Sequence, residues 1–232
     1  MPALNEQGVV GATVVEWIQS GFLAVRVIDN GSSDGTAAEA RAAGADVVMQ
    51  PKPGYGSAAR RGIQNLPPGT EWVLFSSADG SDALSPAEVC RWSEVIAGEV
   101  DLVLGDRCSD SASSAALNLS QRVCSGLFRT VARAGWGRTF NDVGSLRAVR
   151  LATFDVLDLQ DRGFGWNVEM QIRAIECGLR VQEIPVRFRP RRAGQSKISG
   201  TLWGTVRAAI AILGMLLHLW RTRRTRRLGD VE

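Results

Sequence analysis

Apolar positions fall in short runs separated by polar, glycine-rich turns, and the period of the runs changes along the chain. Ala24 to Ile28 has strand character and ends in Asp29-Asn30-Gly31-Ser32-Ser33-Asp34-Gly35. Thr36 to Gly44, rich in Ala and Glu, predicts a helix, and Asp46 to Met49 a second short strand. Ser57 to Asn65 predicts another helix, closed by Pro67-Pro68-Gly69. Trp72 to Phe75 predicts a strand running into Asp79-Gly80-Ser81-Asp82. Ser85-Pro86 opens a helix to about Ala97, and Asp101 to Gly105 is the next strand. This β/α alternation implies an α/β fold with a mostly parallel sheet covered on both faces. Ligands of such sheets bind at the strand ends.

The second half is less regular. Leu117 to Ala134 predicts a helix, Val143 to Val149 a strand or loop, Val168 to Cys177 a helix ended by Gly178, and Leu179 to Phe188 a strand interrupted by Pro185. An Arg/Gly/Ser loop, Pro190 to Gly200, separates a domain over 1–200 from a tail over 201–232. In the tail, Ala208 to Trp220 is apolar except for His218. Those 13 residues fall short of the ~20 that span a bilayer, so an interfacial or packed helix is expected.

Charge sharpens this picture. The net charge is +3, and setting aside Arg221, Arg223, Arg224, Arg226 and Arg227 turns it into −2, so the basic excess lies in the tail. A nucleic-acid protein spreads such charge over a folded face, and no nucleic-acid partner is expected. An apolar helix followed by arginines instead suits an anionic membrane surface, or else a solubilising tail after a core helix. Cys90, Cys108, Cys124 and Cys177 form no C-x-x-C pair, and His218 is the only histidine. Neither a zinc site nor a Ser-His triad is expected, and a reducing compartment fits. Met1 runs into polar Asn5-Glu6-Gln7, so no secretory leader is expected.

Four blocks carry candidate chemistry. Asp29 to Thr36 places a carboxylate at a strand end, suited to a base or ribose hydroxyl, although Asp34 or Thr36 as a helix cap explains it equally. Pro53 to Gly62 puts glycines before a helix but lacks a Gly-Lys-Ser/Thr, and a plain loop-to-helix entry suits it better than a phosphate cradle. Ser76 to Asp82 offers hard oxygen ligands for Mg²⁺ or Mn²⁺ against a diphosphate, or a capped turn. Arg187 to Lys197 offers a cationic loop that can close on phosphates, or a solvated patch.

Taken in order, these blocks resemble the family 2 glycosyltransferases. Pro2-Ala3-Leu4-Asn5-Glu6 resembles the family's first nucleotide-contact loop, Asp29 to Thr36 its Asp-x-Gly-Ser-x-Asp-Gly-Thr turn, and Ser77 to Asp82 its Asp-x-Asp metal motif. Asn141 to Ala148 resembles its acceptor-side acidic motif. Gly163 to Met170 and Arg191 to Gly200 resemble the second half of the polyprenyl-phosphate (dolichyl-type) sugar transferase branch. Ser77 stands where the family's first carboxylate is expected, and the chain opens at Met1-Pro2 where relatives carry an apolar first strand.

The resemblance implies a GT-A-like sandwich with a C-terminal membrane-associating helix, at the cytoplasmic face of a membrane. It implies inverting transfer of a hexose from a nucleoside-diphosphate sugar to a lipid phosphate. Pro2, Leu4, Glu6 and Asp29 would line the nucleoside, and Asp79 with Asp82 would hold Mg²⁺ or Mn²⁺. Arg192 and Lys197 would stabilise the departing diphosphate. Arg107, Arg122 and Arg147 would receive the acceptor phosphate, with Asp142 as base or orienting group. A soluble transferase with a small hydroxyl acceptor, or a non-catalytic nucleotide-binding homologue, are the alternatives.

Overall fold

The computed structural model describes residues 1–22, 24–82, 84–191 and 202–223. In chain order these form β1 (Pro2–Ala3), α1 (Val10–Gln19), β2 (Arg26–Asp29), α2 (Thr36–Ala42), β3 (Asp46–Met49), α3 (Tyr55–Gly62), β4 (Trp72–Phe75), α4 (Pro86–Ala97) and β5 (Leu102–Asp106). Then follow α5 (Ser111–Ala116), α6 (Leu119–Trp136), β6 (Arg147–Arg150), α7 (Leu151–Phe154), α8 (Trp166–Glu176), β7 (Val181–Pro185) and α9 (Leu202–Arg221).

The strands form two sheets, ordered β1-β2-β3 and β4-β6-β5-β7. Pairing is parallel except at β6, which runs against both β4 and β5. That reversal matters for function. The entry to β6, residues 141–146, arrives at the same edge as the exits of β4 and β5, with Phe75 opposite Arg147 and Leu104 opposite Arg147 on the other side. The loops after β1, β2, β4, β5 and β7 leave from the carboxyl ends of parallel strands, where α/β sheets place their ligands.

The second sheet is covered on both faces, which is why β5 is apolar without alternation. Leu102 and Leu104 join Phe128, Trp166, Met170 and Leu216 in one core, while Val103 joins Val14, Val27, Trp92 and Ile184 in the other. Each such fully buried side chain contributes about 1.5–3 kcal/mol. The helices facing these cores are locally specified. Ser85 and Glu88 form a reciprocal cap on α4 with Pro86 in its first turn. Asn118 and Gln121 do the same for α6, which Gly137 ends in the left-handed conformation. α9 sends Leu216 and Leu219 into the first core, and no helix among the described residues is long and apolar enough to cross a membrane.

Two local readings change, and a third gains its reason. α1 was not expected, yet Val10, Val14 and Trp17 recur at helical spacing and are buried, a signal present in the sequence. The helix anticipated over 117–134 is α6, starting two residues later because Leu117 is extended, and the short helix α5 just before it was not expected. The Gly-rich entry to α3 is, as the sequence favoured, a loop-to-helix entry and not a phosphate cradle, and it docks on backbone. Gly56 N donates to Gly163 O at 3.1 Å and Ser57 N to Arg162 O at 3.0 Å, so the helix's first amides are already used. Gly54 has φ +124°, and a Cβ on Gly54 or Gly56 would strike the carbonyl oxygens of Arg162 or Asp161.

That contact gives a test. Gly56→Ala should lose about 1–3 kcal/mol in urea unfolding, because backbone must separate from backbone. Gly126→Ala in α6, where a Cβ meets nothing within 4 Å, should gain roughly 0.5–1 kcal/mol by the same measurement.

Candidate active site

The loops after β1 and β2 close on each other. Asn5 Oδ1 accepts from Ser33 N at 2.9 Å, Asp34 Oδ2 from Gln7 N at 3.2 Å, and Thr36 Oγ1 from Glu6 N at 2.8 Å. Asp34 also accepts from Thr36 N at the start of α2, at 3.0 Å. Asp29 is buried, and its Oδ1 holds the following turn by accepting from Gly31 N (3.1 Å) and Ser32 N (2.7 Å). Pro2 and Leu4 are half-buried beside it, and Glu6 is nearly buried.

After β4, Asp79 and Asp82 are both buried. Asp79 Oδ1 accepts from Ser81 N (2.9 Å) and Ser81 Oγ (2.6 Å). Its other oxygen faces the Arg191 guanidinium, Nε to Oδ2 at 2.6 Å, and Arg191 Nη2 reaches Glu6 Oε1 at 3.5 Å. One arginine thus spans the exits of β1 and β4. Asp82 Oδ2 accepts from Ser77 N (2.8 Å) and from Ser145 Oγ (2.7 Å). Burial pushes the Asp82 carboxyl up, partly offset by those bonds and by Arg107.

Arg191 is carried by a strap that follows β7. Arg189 N donates to Ser81 O, Arg189 Nη2 pairs with Glu16 at 2.7 Å, Phe188 bridges to Asp82, and the Phe188 ring lies 4.8 Å from the Arg107 guanidinium. The basic block was legible, but the sequence offered no ground for choosing Arg191 over its neighbours. Arg192 and Lys197 lie outside the described residues.

At the exit of β5, Arg107 and Asp142 form a buried fork. Nε meets Oδ2 at 2.6 Å and Nη2 meets Oδ1 at 2.9 Å, while Arg107 N adds a third bond and Ser125 Oγ of α6 a fourth, at 2.9 Å. Burial alone would raise the Asp142 carboxyl, but Arg107 outweighs it and holds the group below the ordinary carboxylate range. Arg147 is also wholly buried. It donates to the carbonyls of Asn167 (3.1 Å) and Gly144, its Nε has no partner, and burial lowers its pKa to about 10. Arg122 is exposed, with Nη2 on Ser114 O at 2.8 Å. Of the three candidate phosphate arginines, Arg107 and Arg147 lie within electrostatic reach of Asp82 and Asp142, and only Arg122 is exposed.

Asp106, Cys108 and Asp142 also bring ligand-type atoms within 4.8 Å of one another. Their lone pairs are largely taken. Asp106 Oδ1 accepts from Cys108 N and Ser109 N, and its Oδ2 from Asn141 Nδ2. Burial, with Asp142 and Asp106, pushes the Cys108 thiol up to about 11. Sequence reasoning missed Glu183 of β7. It is half-buried, accepts from Asn141 N at 2.7 Å, and burial raises it to about 7, with Asp106 and Asp142 adding to the rise.

No protein-family model matches the chain. A glycosyltransferase of Mycobacterium tuberculosis, itself uncharacterised, is 34% identical over 218 residues, covering 92% of this chain and 93% of its own length. The undecaprenyl-phosphate mannosyltransferase of Micrococcus luteus is 30% identical over 213 residues, covering 87% and 86%. Among solved structures, glucosyl-3-phosphoglycerate synthase of Mycobacterium tuberculosis, in complex with Mn²⁺, uridine diphosphate and phosphoglyceric acid, superposes with a TM-score of 0.71. It is 20% identical and covers 94% of this chain and 76% of its own, a likeness of fold.

Glu183 supplies a pH test. Its carboxyl binds a proton more tightly folded (about 7) than at its ordinary 4.5, so its contribution to stability falls as pH rises from 4.5 to 7. Glu183→Gln should therefore melt above wild type at pH 8, with the difference vanishing below about pH 4.5.

Proposed function

The chain belongs to the glycosyltransferases, and on that premise we propose that it moves a hexose from a nucleoside-diphosphate sugar to a polyprenyl-type lipid phosphate, with inversion. The observation that carries the acceptor class is the Arg107–Asp142 fork. Asp142 is held ionised below its ordinary range and its oxygens are filled by Arg107 and Ser125, so it is a poor general base. A hydroxyl acceptor needs a base. A phosphate monoester, with a second pKa near ~6, is already a nucleophile at neutral pH. Asp142 then serves as the orienting group.

On this reading Pro2, Leu4, Glu6 and Asp29 receive the nucleoside, since they line the paired turns after β1 and β2. The seat for Mg²⁺ or Mn²⁺ is Asp79, backed by Asp82. The fit rests on Arg191, whose guanidinium shows that a cation is drawn to the buried Asp79 oxygen. When bound there, the ion supplies charge neutralisation to the leaving diphosphate. Arg191 must give way to it, and Arg192 and Lys197, which follow in the sequence, would add cationic contacts to the same diphosphate. The acceptor phosphate oxygen bonds to the anomeric carbon as the bond to the diphosphate breaks. Arg122, exposed and held only by a neutral carbonyl, is the cation most open to that phosphate, with Arg107 and Arg147 contributing field from behind.

A lipid acceptor also suits α9. Val206, Ile210, Leu213, Leu217 and Trp220 are exposed at alternating spacings of four and three, one apolar stripe followed by arginines. Such a helix lies in a membrane interface.

Donor turnover should be screened across nucleotide sugars with and without polyprenyl phosphate, and transfer should require the lipid. Transfer to a small hydroxyl compound with no lipid present would instead favour the soluble reading, and nucleotide binding without any turnover the non-catalytic one. Asp79→Asn should lower kcat roughly 100- to 1000-fold and remove the metal dependence of donor affinity in calorimetry.

Asp142→Asn should cost about 3–5 kcal/mol of stability, because Arg107 is left buried without its counter-charge. With lipid phosphate as acceptor, the variant's residual rate should keep the wild-type acid limb near pH ~6, which belongs to the acceptor. Loss of that limb would return the role of base to Asp142.

A further inference from the structure

A cavity of about 300 Å³ opens between the end of β3, the outer face of α3 and the loop before α8. Its lining holds Lys52, Arg60, Arg61 and Arg162, together with Ser57 and Gln64, and contains no carboxylate. Other arginines of this molecule find acids, as in Arg26–Asp46, Arg107–Asp142, Arg173–Glu176 and Arg180–Asp101. Among the described residues the four cavity cations have no ion pair. Arg61 Nη1 donates to the neutral Gln64 Oε1 at 2.7 Å, and Arg60 Nε is buried with no hydrogen-bond partner while its guanidinium lies 6.0 Å from the Trp166 ring. Four like charges around one space repel unless an anion joins them.

The walls are fixed in advance. Asn30 Nδ2 donates to Gln50 O (2.9 Å) and Lys52 O (2.7 Å), and Asn30 Oδ1 accepts from Gly54 N at 2.8 Å. Gln50 Nε2 donates to Ser57 O at 3.1 Å, and the backbone docking of Gly56 and Ser57 on residues 162–163 sets Arg162 at the rim. Because that docking uses the first amides of α3, the cavity's anion affinity comes from side chains alone. The cavity is not the Asp79 seat, since none of Asp79, Asp82 and Arg191 lines it.

We propose that this cavity is a second anion site, taking the diphosphate or phosphomonoester group of a ligand other than the sugar donor. Guanidinium forks grip phosphate oxygens in pairs and Lys52 adds a point charge. The volume suits a small phosphorylated compound or a phospholipid headgroup, which share that chemistry. The site stands on its own geometry whether or not the donor reading does.

The test uses the full chain with inorganic pyrophosphate as probe, in EDTA so that no divalent ion serves Asp79. Calorimetry should give saturable, salt-sensitive binding to wild type. Lys52→Glu/Arg61→Glu and, separately, Arg162→Ala should each weaken it at least about tenfold while melting like wild type, since these side chains are exposed or half-buried and unpaired with acids. Arg41→Glu on α2, exposed and outside the cavity, should bind as wild type. A parallel arm compares vesicles of phosphatidylcholine with and without phosphatidic acid. Vesicle binding lost in Lys52→Glu/Arg61→Glu assigns the anion to a lipid headgroup, and pyrophosphate binding alone assigns it to a soluble compound. Equal pyrophosphate and vesicle binding by wild type and both cavity variants overturns the proposal.

Discussion

Asp142 ties the second half of the molecule to the first. Its two oxygens take Arg107 from the exit of β5 and Ser125 from α6, and its carbonyl takes Gln171 Nε2 of α8 at 2.8 Å. Those elements come from distant parts of the chain, and the reversed strand β6 follows directly. A buried ion pair gains little over apolar packing, but it punishes any arrangement that leaves one partner alone. The register of residues 141–146 against β4 and β5 is therefore narrowly set. The same pairing fixes the chemistry, because a carboxylate held ionised and saturated orients its neighbours and does not collect protons.

A second constraint is the surplus of buried charge at the sheet's carboxyl edge. Asp79, Asp82, Asp106 and Asp142 are all buried there, with Arg107 and Arg147 among them. Asp82 is relieved by Ser77 N and Ser145 Oγ, and Asp79 by Ser81 and Arg191. Arg191 is the adjustable member. It reaches in from a strap pinned at Phe188 and Arg189, whereas the other cations are locked in the core. A site organised in this way can exchange one cation for another without rearranging its walls.

α9 is apolar on two faces, one packed and one exposed. Ile212, Met215, Leu216 and Leu219 pack on the core of α6 and α8, while Val206, Ile210, Leu213, Leu217 and Trp220 remain outside. The second helix surface is anchored through the first, so a membrane-bound α9 would hold the carboxyl edge at a fixed attitude. Gly165, before α8, abuts Met215 of α9, two residues from Asn167, whose carbonyl takes Arg147.

The sequence by itself determined the α/β alternation, most element positions, the capped helix at Ser85 and the identity of the carboxylate turns. Each depends on local periodicity or on residues a few positions apart. It also carried α1, through Val10, Val14 and Trp17. It favoured a plain entry to α3 over a phosphate cradle but could not show what that entry docks on, because Arg162 and Asp161 lie about a hundred residues beyond Gly54 and Gly56. Nor could it sort the arginines. Arg107, Arg122, Arg147 and Arg191 are chemically identical in the chain, and only tertiary structure pairs the first with Asp142, leaves the second exposed, buries the third on carbonyls and sets the fourth on Asp79. The physical reason is that a charge's role is set by its desolvation and by its nearest counter-charge, and both are decided by chain segments far away in sequence.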